Sequence, residues 1–426
     1  MKKFFSLFVS IVLIIGFSVS FAEEFQIYEF NGKDASEQDG YTLKLIGDLY
    51  YDGIFVEQSY EIAAQMYKLA AEKGDVDAYI RLGNMYYDGI GIPQSYGGAL
   101  FCYETAALEY GNAEAYFWLG VMFSQGNGVV QSYQMAQDYF QSAAEMGDKG
   151  AYVALGAMYI NGISDGMTGE QALEYIMTAV EASYPPAEYY LGVMYTNGYE
   201  VEQSDDMAIK YCQLAADHGL PIAQGQMGDL YYNGDGVEQS NELAVYYYQL
   251  AANQNDAYAQ KRLGDLYYYG YGVEQSFEKA AYYYQLAADQ GNDAAEYNLG
   301  ILFTDGTGVD QSIEKALYYL GLAIDQGNVK AMELVGSYYY LGKHGVEQSY
   351  IQAFPYFQMA AEKGSASSQE ILGMMYYYGE GVEKSYEKSA YYYGLSADQG
   401  NKRAMVMMII NHCLLPDFFP ECDFTP

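Results

Sequence analysis

The feature that most constrains the fold of this chain is a pair of glycines, six residues apart, that recurs about every 36 residues. The interval is 36 throughout, except for two steps of 37. A chain that repeats one short unit in this way stacks its copies, because a single unit cannot bury its apolar face alone. The repeat therefore predicts one solenoid, although a length of 426 residues would otherwise suggest two or three domains. The ten pairs are Gly47/Gly53, Gly83/Gly89, Gly120/Gly126, Gly156/Gly162, Gly192/Gly198, Gly228/Gly234, Gly264/Gly270, Gly300/Gly306, Gly336/Gly342 and Gly373/Gly379.

The positions around the first glycine of each pair, which we number as zero, predict a helix. Position −1 is always Leu, Ile, Val or Met, position +3 is always aromatic, and position −5 is Ala in eight of the ten repeats. These positions are spaced i, i+4 and i+8, so they share one helical face. The glycine at zero has no Cβ and lets a neighbouring helix approach closely, while the glycine at +6 predicts the helix end. The +3 rings are predicted core residues: Tyr50, Tyr86, Phe123, Tyr159, Tyr195, Tyr231, Tyr267, Phe303, Tyr339 and Tyr376.

A tight loop and a second helix complete each repeat. In repeat seven, Gly272 allows a sharp turn, Val273 points inward, and Ser276 is predicted to cap a helix over residues 277–289. Acidic residues follow the serine in the first turn, where they complement the helix dipole. Each unit is thus helix, turn, helix and loop, and the fold class is all-α.

The full repeat resembles a known family. The pattern resembles the Sel-one-like repeat (SLR) family, a relative of the tetratricopeptide repeats, over about residues 41–400. The resemblance implies an α/α right-handed superhelical solenoid, here of about ten 36-residue helix–turn–helix repeats, which serves as a scaffold or adaptor that binds other proteins. We predict no cofactor. Repeat four departs from the pattern in its loop, Ile163–Thr168, and the four cysteines do not recur with the period as they do in some secreted relatives. Repeat seven carries the pattern at Ala259, Leu263-Gly264, Tyr267, Gly270, Gly272-Val273, Ser276, Ala280, Tyr283-Tyr284, Ala287-Ala288 and Gly291.

The two ends of the chain differ from the repeats. Residues 1–22 have the basic start, short apolar stretch and small residues before the cut that are typical of a secretory signal peptide, which predicts a periplasmic or secreted protein. A retained anchor helix is the alternative. Residues 23–40 form a leader, and residues 401–426 are predicted to form a capping helix and a tail. In an exported protein Cys413 and Cys422 could form a disulfide or stay free, whereas Cys102 and Cys212 are predicted to be buried fillers.

Charge and composition exclude several functions. The chain has 56 Asp and Glu against 20 Lys and Arg, a formal charge of −36, which argues against nucleic acid and, after signal cleavage, against a membrane surface as a partner. Three histidines in separate repeats predict no metal site and no catalytic histidine. Three Ser-x-x-Lys sequences resemble the nucleophile motif of penicillin-recognising enzymes, but the partner motifs Lys-Thr-Gly and Ser-Asp-Asn are missing and helix capping explains the serines. We therefore predict that the chain is not an enzyme. The sequences are Ser276/Lys279, Ser312/Lys315 and Ser385/Lys388.

The 52 tyrosines suggest where a partner binds. By analogy with tetratricopeptide repeats, positions −3, +1 and +4 of the first helices would line a concave groove. Tyrosine at +4 and aspartate at +1 flank an apolar middle in repeats three to five, which predicts a site for a peptide or protein segment with basic flanks. Two alternatives remain: these positions pack against the next repeat, or the exposed tyrosines bind carbohydrate. The predicted contact residues are Tyr51, Tyr87, Tyr232, Tyr268, Tyr340 and Tyr377, then Asp48, Asp229 and Asp265, and in the middle Phe117, Val121, Val153, Tyr189 and Val193.

Overall fold

The structure, a computed structural model, describes residues 38–413 and the side chains of residues 38–410. The predicted signal peptide, most of the leader and the side chains of the Cys413–Cys422 pair lie outside this range. The described residues form twenty-one α-helices and no strand. The helices are α1 (Gly40–Asp52), α2 (Tyr60–Glu72), α3 (Val76–Asp88), α4 (Tyr96–Glu104), α5 (Ala113–Gln125), α6 (Tyr133–Glu145), α7 (Lys149–Ile160), α8 (Gly169–Glu181), α9 (Pro185–Asn197), α10 (Asp205–Asp217), α11 (Pro221–Asn233), α12 (Asn241–Asn253), α13 (Ala257–Tyr269), α14 (Phe277–Ala288), α15 (Asp293–Asp305), α16 (Ile313–Asp325), α17 (Val329–Leu341), α18 (Tyr350–Glu362), α19 (Ala366–Tyr378), α20 (Tyr386–Asp398) and α21 (Lys402–Cys413).

The helices pair as the repeat predicts, and the all-α solenoid is confirmed. Odd-numbered helices are the first helices of the repeats and even-numbered helices are the second. The chain divides by its contacts into two units, residues 1–211 and 212–426, and the boundary falls within α10. In unit one, helices α1 to α9 pack each on the next, and in unit two the same holds for α11 to α21. Over the described residues, no helix combines the length and the apolar character needed to cross a membrane.

The glycine at position zero is the point of closest approach between the two helices of a repeat. A Cβ built on Gly83 would lie 2.6 Å from the ring of Tyr103, which is fully buried at position +20. Gly120 faces Phe140 at 2.5 Å in the same way. The predicted role of this glycine is therefore confirmed, because no larger residue leaves room for the facing ring.

The helix ends follow from a few capping residues. Gly270 has φ 73°, in the left-handed region, and its N–H donates to the carbonyl of Leu266. At the start of the second helix, the Ser276 hydroxyl accepts from the Lys279 amide at 3.2 Å, as predicted. Gln275 was not predicted to have a role, yet its side-chain amide donates to the carbonyl of Tyr268 at 2.8 Å and so satisfies an orphan group at the end of the first helix. Equivalent glutamines donate in the same way in other repeats: Gln58, Gln94, Gln131, Gln203, Gln239, Gln311 and Gln348.

The +3 rings join the two helices of a repeat at their edge. The ring of Tyr267 stacks on Tyr283 at 5.6 Å and 7°. Only Phe303 and Tyr376 are buried, at 8% exposure each, and the other eight +3 rings are half-buried. The +3 rings thus pack at the edge of the core, and the stack leaves one side of most of them in contact with solvent or a lysine. The centre of the core is instead the ring at +20, as in Tyr67, Tyr103, Tyr248 and Tyr393.

The irregular repeat and the last helix both keep the packing of neighbouring helices. Repeat four keeps its helix pair, and Thr168 forms a capping box with Gln171 at the start of α8. Helix α21 packs on α20, and its Ala404 is fully buried, at the place expected for an eleventh first helix. Helix α21 therefore packs on the last repeat, but Val406 and Ile409 on its outer side are exposed, so its role as a cap stays a prediction.

Candidate protein-interaction face

The +1 residues form hydrogen bonds within their own repeat. The hydroxyl of Tyr284, at +20, donates to Asp265 at 2.9 Å. Tyr67 donates to Asp48 at 2.9 Å in repeat one. Burial, followed by the nearby carboxylates, raises the pKa of both tyrosines well above the ordinary value. The aspartates at +1 are therefore acceptors for buried phenols.

The residue at +1 matches the residue at +20 in most repeats. Where +20 is not tyrosine, +1 carries no carboxylate, as in the pairs Val121/Phe140 and Ile301/Leu320. Val121 and Val193 belong to the predicted apolar middle. In their repeats the residue at +20 is not a tyrosine, so the residue at +1 has no phenol to accept from and can be apolar. The pairs with a polar +1 residue and a tyrosine are Asp48/Tyr67, Asn84/Tyr103, Asp229/Tyr248 and Asp265/Tyr284.

Each predicted acidic contact residue also has a cation beside it. Asp48 pairs with Lys44 and Asp265 pairs with Lys261, both at 2.7 Å. The third, Asp229, accepts from Arg262 at 3.1 Å. The formal charge at these positions is therefore compensated within the chain, so they attract a basic partner less than their number suggests.

Arg262, at position −2 of repeat seven, joins two repeats. Its guanidinium reaches back to Asp229, its Nε donates to the hydroxyl of Tyr248 at 2.9 Å, and it lies 4.7 Å from the ring centroid of Tyr232. In unit one, Trp118 holds the same position and stacks on Tyr103 at 5.8 Å and 7°. Position −2, which no sequence pattern singles out, thus covers the tyrosines of the preceding repeat.

All six predicted +4 tyrosines are half-buried. Their rings pack against the start of the second helix, as Tyr268 does on Phe277 at 5.3 Å. Tyr340 further donates to Glu380 at 2.6 Å. One side of each ring therefore packs within the fold while the other side stays accessible. The role of these rings in binding stays a prediction. The equivalent contacts are Tyr51–Tyr60, Tyr87–Tyr96, Tyr340–Tyr350 and Tyr377–Tyr386, while Tyr232 lies under Arg262.

The predicted apolar middle lies in unit one. Phe117 packs on Phe140 at 5.6 Å and keeps part of its surface, and Tyr189 and Val193 are half-buried too. Val153 differs, because it is 8% exposed within a core cluster. Its side chain therefore has little surface to offer a partner.

A cavity of about 270 Å³ opens between α13 and α15 in unit two. It brings together the predicted residues Asp265 and Tyr268 with Lys261 and Tyr269 from the same helix, and Ile301 lies on the facing helix. The Lys261–Asp265 ion pair and the phenols give the cavity polar groups, and Ile301 gives it an apolar wall. Such a mixture suits a side chain with an apolar stem and a polar tip. The cavity could be anticipated only in part, because Tyr269 and the facing helix carry no distinctive sequence signal.

The serine and the lysine of each Ser-x-x-Lys sequence both make contacts within the fold. The Ser276 hydroxyl caps its helix, and the ammonium of Lys279 lies 5.0 Å from the ring centroid of Tyr267. Lys315 and Lys388 lie in the same way over the aromatic rings at +3. Both residues of each pair thus have a role in the fold.

The possible metal ligands and the two cysteines within residues 38–410 are placed as follows. No group of histidine, cysteine and acidic side chains that could hold a metal ion occurs within residues 38–410. Cys102 and Cys212 are buried, as predicted, and burial raises the pKa of each thiol to about 12. Both cysteines are therefore core side chains.

Comparison with known proteins identifies the family. The pattern of the Sel1 repeat matches nine stretches, which together cover most of the chain: 44–75, 76–109, 113–148, 185–220, 221–256, 257–292, 293–328, 329–365 and 366–401. The chain belongs to the Sel1 repeat family. The unmatched interval, 149–184, is repeat four, where α7 and α8 keep the helix pair of a Sel1 repeat around a divergent loop.

Two solved structures resemble this Sel1 repeat protein. One is a protective antigen of uropathogenic Escherichia coli that displays an SLR fold, with 26% identity, a TM-score of 0.55, and coverage of 90% of this chain and 85% of that one. The other is a Sel1 repeat protein from Oxalobacter formigenes, with 31% identity, a TM-score of 0.54, and coverage of 72% of this chain and 90% of that one. A comparison with curated protein sequences found no match. Sel1 repeat proteins are in general scaffolds for protein–protein interaction and are typically non-catalytic.

Proposed function

We propose that this Sel1 repeat protein is an exported scaffold that binds an extended segment of a partner protein along the first helices of unit two. The observation that carries the proposal is the cavity between α13 and α15, because it contains Asp265 and Tyr268, two residues that the sequence pattern selected independently. A side chain of the partner enters this cavity, and its neighbours lie along the half-buried +4 tyrosines. The partner segment carries basic groups, since the whole chain has a charge of −36.

Site-specific photocrosslinking tests where the partner binds. A benzophenone amino acid replaces Tyr269, which lines the cavity and is 58% exposed, and in a control protein it replaces Val130, which is 88% exposed in a loop of unit one. We expect a crosslinked partner from an extracytoplasmic extract at position 269 only. A second protein carries the crosslinker together with Asn298→Trp, which fills the cavity, and should lose the product while its thermal unfolding stays cooperative. Equal crosslinking at both positions, or a product that survives Asn298→Trp, contradicts the proposed site.

Export is tested separately on the full chain. The signal sequence predicts that the mature protein begins at Glu23, outside the cytoplasm. Cell fractionation and N-terminal sequencing of the native protein measure this directly. An intact N-terminus in the cytoplasmic fraction contradicts export and leaves the binding site untouched.

A further inference from the structure

A column of exposed tyrosines runs along the second helices of unit two. Tyr246, Tyr282 and Tyr318 occupy position +18 in three consecutive repeats, and their exposed fractions are 55%, 59% and 61%. We call these three residues the tyrosine column. Single exposed aromatic side chains are common, whereas an apolar surface repeated at one position in three consecutive repeats is typical of an interaction site.

Each ring of the column rests on a neighbouring ring of the fold. Tyr282 meets Tyr283 in a T-shaped contact at 5.2 Å, and Tyr283 itself stacks on Tyr267. Tyr318 meets Tyr319 at 5.1 Å in the same geometry. The exposed rings are therefore held in place by their neighbours, so that binding costs less side-chain entropy than it would on unsupported rings.

Hydrogen bonds between neighbouring second helices set the spacing of the column. The Tyr283 hydroxyl donates to Gln249 at 2.9 Å, and the Tyr319 hydroxyl donates to Gln285 at 2.7 Å. Two helices that meet through their side chains have axes about 10 Å apart, because a helix with its side chains is about 10–12 Å across. Equivalent rings on successive second helices therefore recur at about that interval.

The charges beside the column favour a cationic partner. Exposed Glu278 and Glu314 lie one turn before the rings of Tyr282 and Tyr318, and exposed Asp289 and Asp325 lie two turns after them. The two lysines of these helices, Lys279 and Lys315, have their ammonium groups over the rings at +3, at 5.0 and 5.1 Å. Across the described residues, no lysine or arginine of the chain lies over a ring of the column, although such cation–π contacts are frequent elsewhere in this fold.

We propose that the tyrosine column binds an extended basic segment of a partner protein in which arginine or lysine recurs at every third residue. An extended chain advances about 3.1–3.3 Å per residue, so three residues span about the interval between rings. Each cation then lies over one ring, and the flanking carboxylates compensate its charge. This surface lies on the second helices, whereas the proposed groove lies on the first helices, so that either surface can bind without the other.

A pair of synthetic peptides tests the proposal on the full-length protein. One peptide is Arg-Pro-Ser-Arg-Pro-Ser-Arg with blocked ends, and the other has the same composition with its three arginines adjacent. We expect the spaced peptide to bind the wild type roughly tenfold more tightly than the Tyr246→Ala/Tyr282→Ala/Tyr318→Ala variant, as expected for three exposed cation–π contacts. The matched control is Tyr391→Ala, which removes an equally exposed +18 tyrosine outside the column and should leave binding unchanged. Thermal unfolding of each variant establishes that the fold is retained.

Three outcomes overturn the proposal. Equal binding of the two peptides by the wild type would indicate attraction to the acidic surface alone. Unchanged binding by the triple variant would place the peptide elsewhere. Binding of a neutral oligosaccharide that depends on the same three tyrosines, without binding of the spaced peptide, would assign the column to carbohydrate. Loss of crosslinking at position 269 affects none of these results, because it concerns the groove.

Discussion

A Cβ placed on Gly264 would lie 2.5 Å from Cδ1 of Tyr284, so that the ring fills the space that any larger residue would need. Tyr284 is buried and cannot move aside without disturbing the core. We expect Gly264→Ala to lower the free energy of unfolding by about 1–3 kcal/mol through overpacking, measured by urea denaturation.

Gly321→Ala is the matched control. Gly321 also lies inside a helix of unit two, the second helix α16, and nothing lies within 4 Å of the Cβ that it would gain. This variant should gain up to about 1 kcal/mol, because alanine favours the helix over glycine. Equal effects of the two variants on the free energy of unfolding would show that the close approach of Tyr284 is not the reason for a glycine at position 264.

The Asn84–Tyr103 pair predicts a coupled effect on stability. The buried Tyr103 hydroxyl donates to Asn84 Oδ1 at 2.7 Å, and Asn84 is an uncharged acceptor. Asn84→Val should cost about 1–3 kcal/mol, because it leaves the phenol without its acceptor. Adding Tyr103→Phe should restore much of that loss, since the next repeat carries Val121 and Phe140 at the same positions. A double-mutant cycle measures the coupling, and simple addition of the two single effects would contradict it.

Arg262 should stabilise the contact between repeats six and seven. Arg262→Met leaves Asp229 without its cation and the Tyr248 hydroxyl without a donor. We expect it to lower the free energy of unfolding, measured in urea, by about 2 kcal/mol or more. Arg403 provides the control, since it pairs with Glu370 at 3.2 Å but is 72% exposed. Arg403→Met should cost less than about 1 kcal/mol. Similar losses in the two variants would mean that the bridge between repeats contributes no more than a surface pair.

Alkaline pH should destabilise the fold through its buried phenols. Burial raises the pKa of Tyr67, Tyr103 and Tyr284 well above the ordinary value of a phenol. The unfolded chain releases these protons near pH 10, whereas the folded chain keeps them. The stabilising contribution is therefore complete below about pH 10 and is lost as the pH rises toward the folded pKa values.

Unfolding free energies measured from about pH 8 to about pH 11 check this expectation. Each buried tyrosine contributes a slope of up to about 1.4 kcal/mol per pH unit above pH 10. Tyr103→Phe should flatten the decline by about that amount, and its difference from the wild type should be constant below about pH 9. Parallel curves over the whole range would contradict the role of this phenol.

The recurring features of the fold could be read from the sequence because they are local. The helix face at −5, −1 and +3, the glycine at zero and the serine caps depend on neighbours within about two helical turns. The bond from Tyr284 to Asp265 joins residues 19 positions apart, and its existence depends on how the second helix is rotated. Arg262 similarly meets Asp229 in a different repeat. Pairings of this kind are set by tertiary packing and carry no local signal.

The tyrosine column illustrates the same limit. The runs Tyr246–Tyr248 and Tyr282–Tyr284 each place three phenols side by side on a second helix. Consecutive residues on a helix point about 100° apart, so one ring is exposed, one stacks at the edge and one is buried. Composition alone therefore could not separate a possible contact residue from a core residue, and the choice of +4 in the first helices overlooked +18 in the second.

The hydrogen bonds that join neighbouring second helices have a consequence for how this chain acquires its structure. Tyr283 and Gln249 are 34 residues apart, and Tyr319 and Gln285 are separated by the same distance in sequence. A further repeat would add only contacts between residues about 34 positions apart. The entropy lost on closing each loop is therefore independent of the number of repeats. Relative contact order then falls as the array lengthens, which favours rapid, sequential folding from any early helix pair. Gain or loss of a whole 36-residue period by gene duplication or deletion therefore alters the binding length and preserves the folding route.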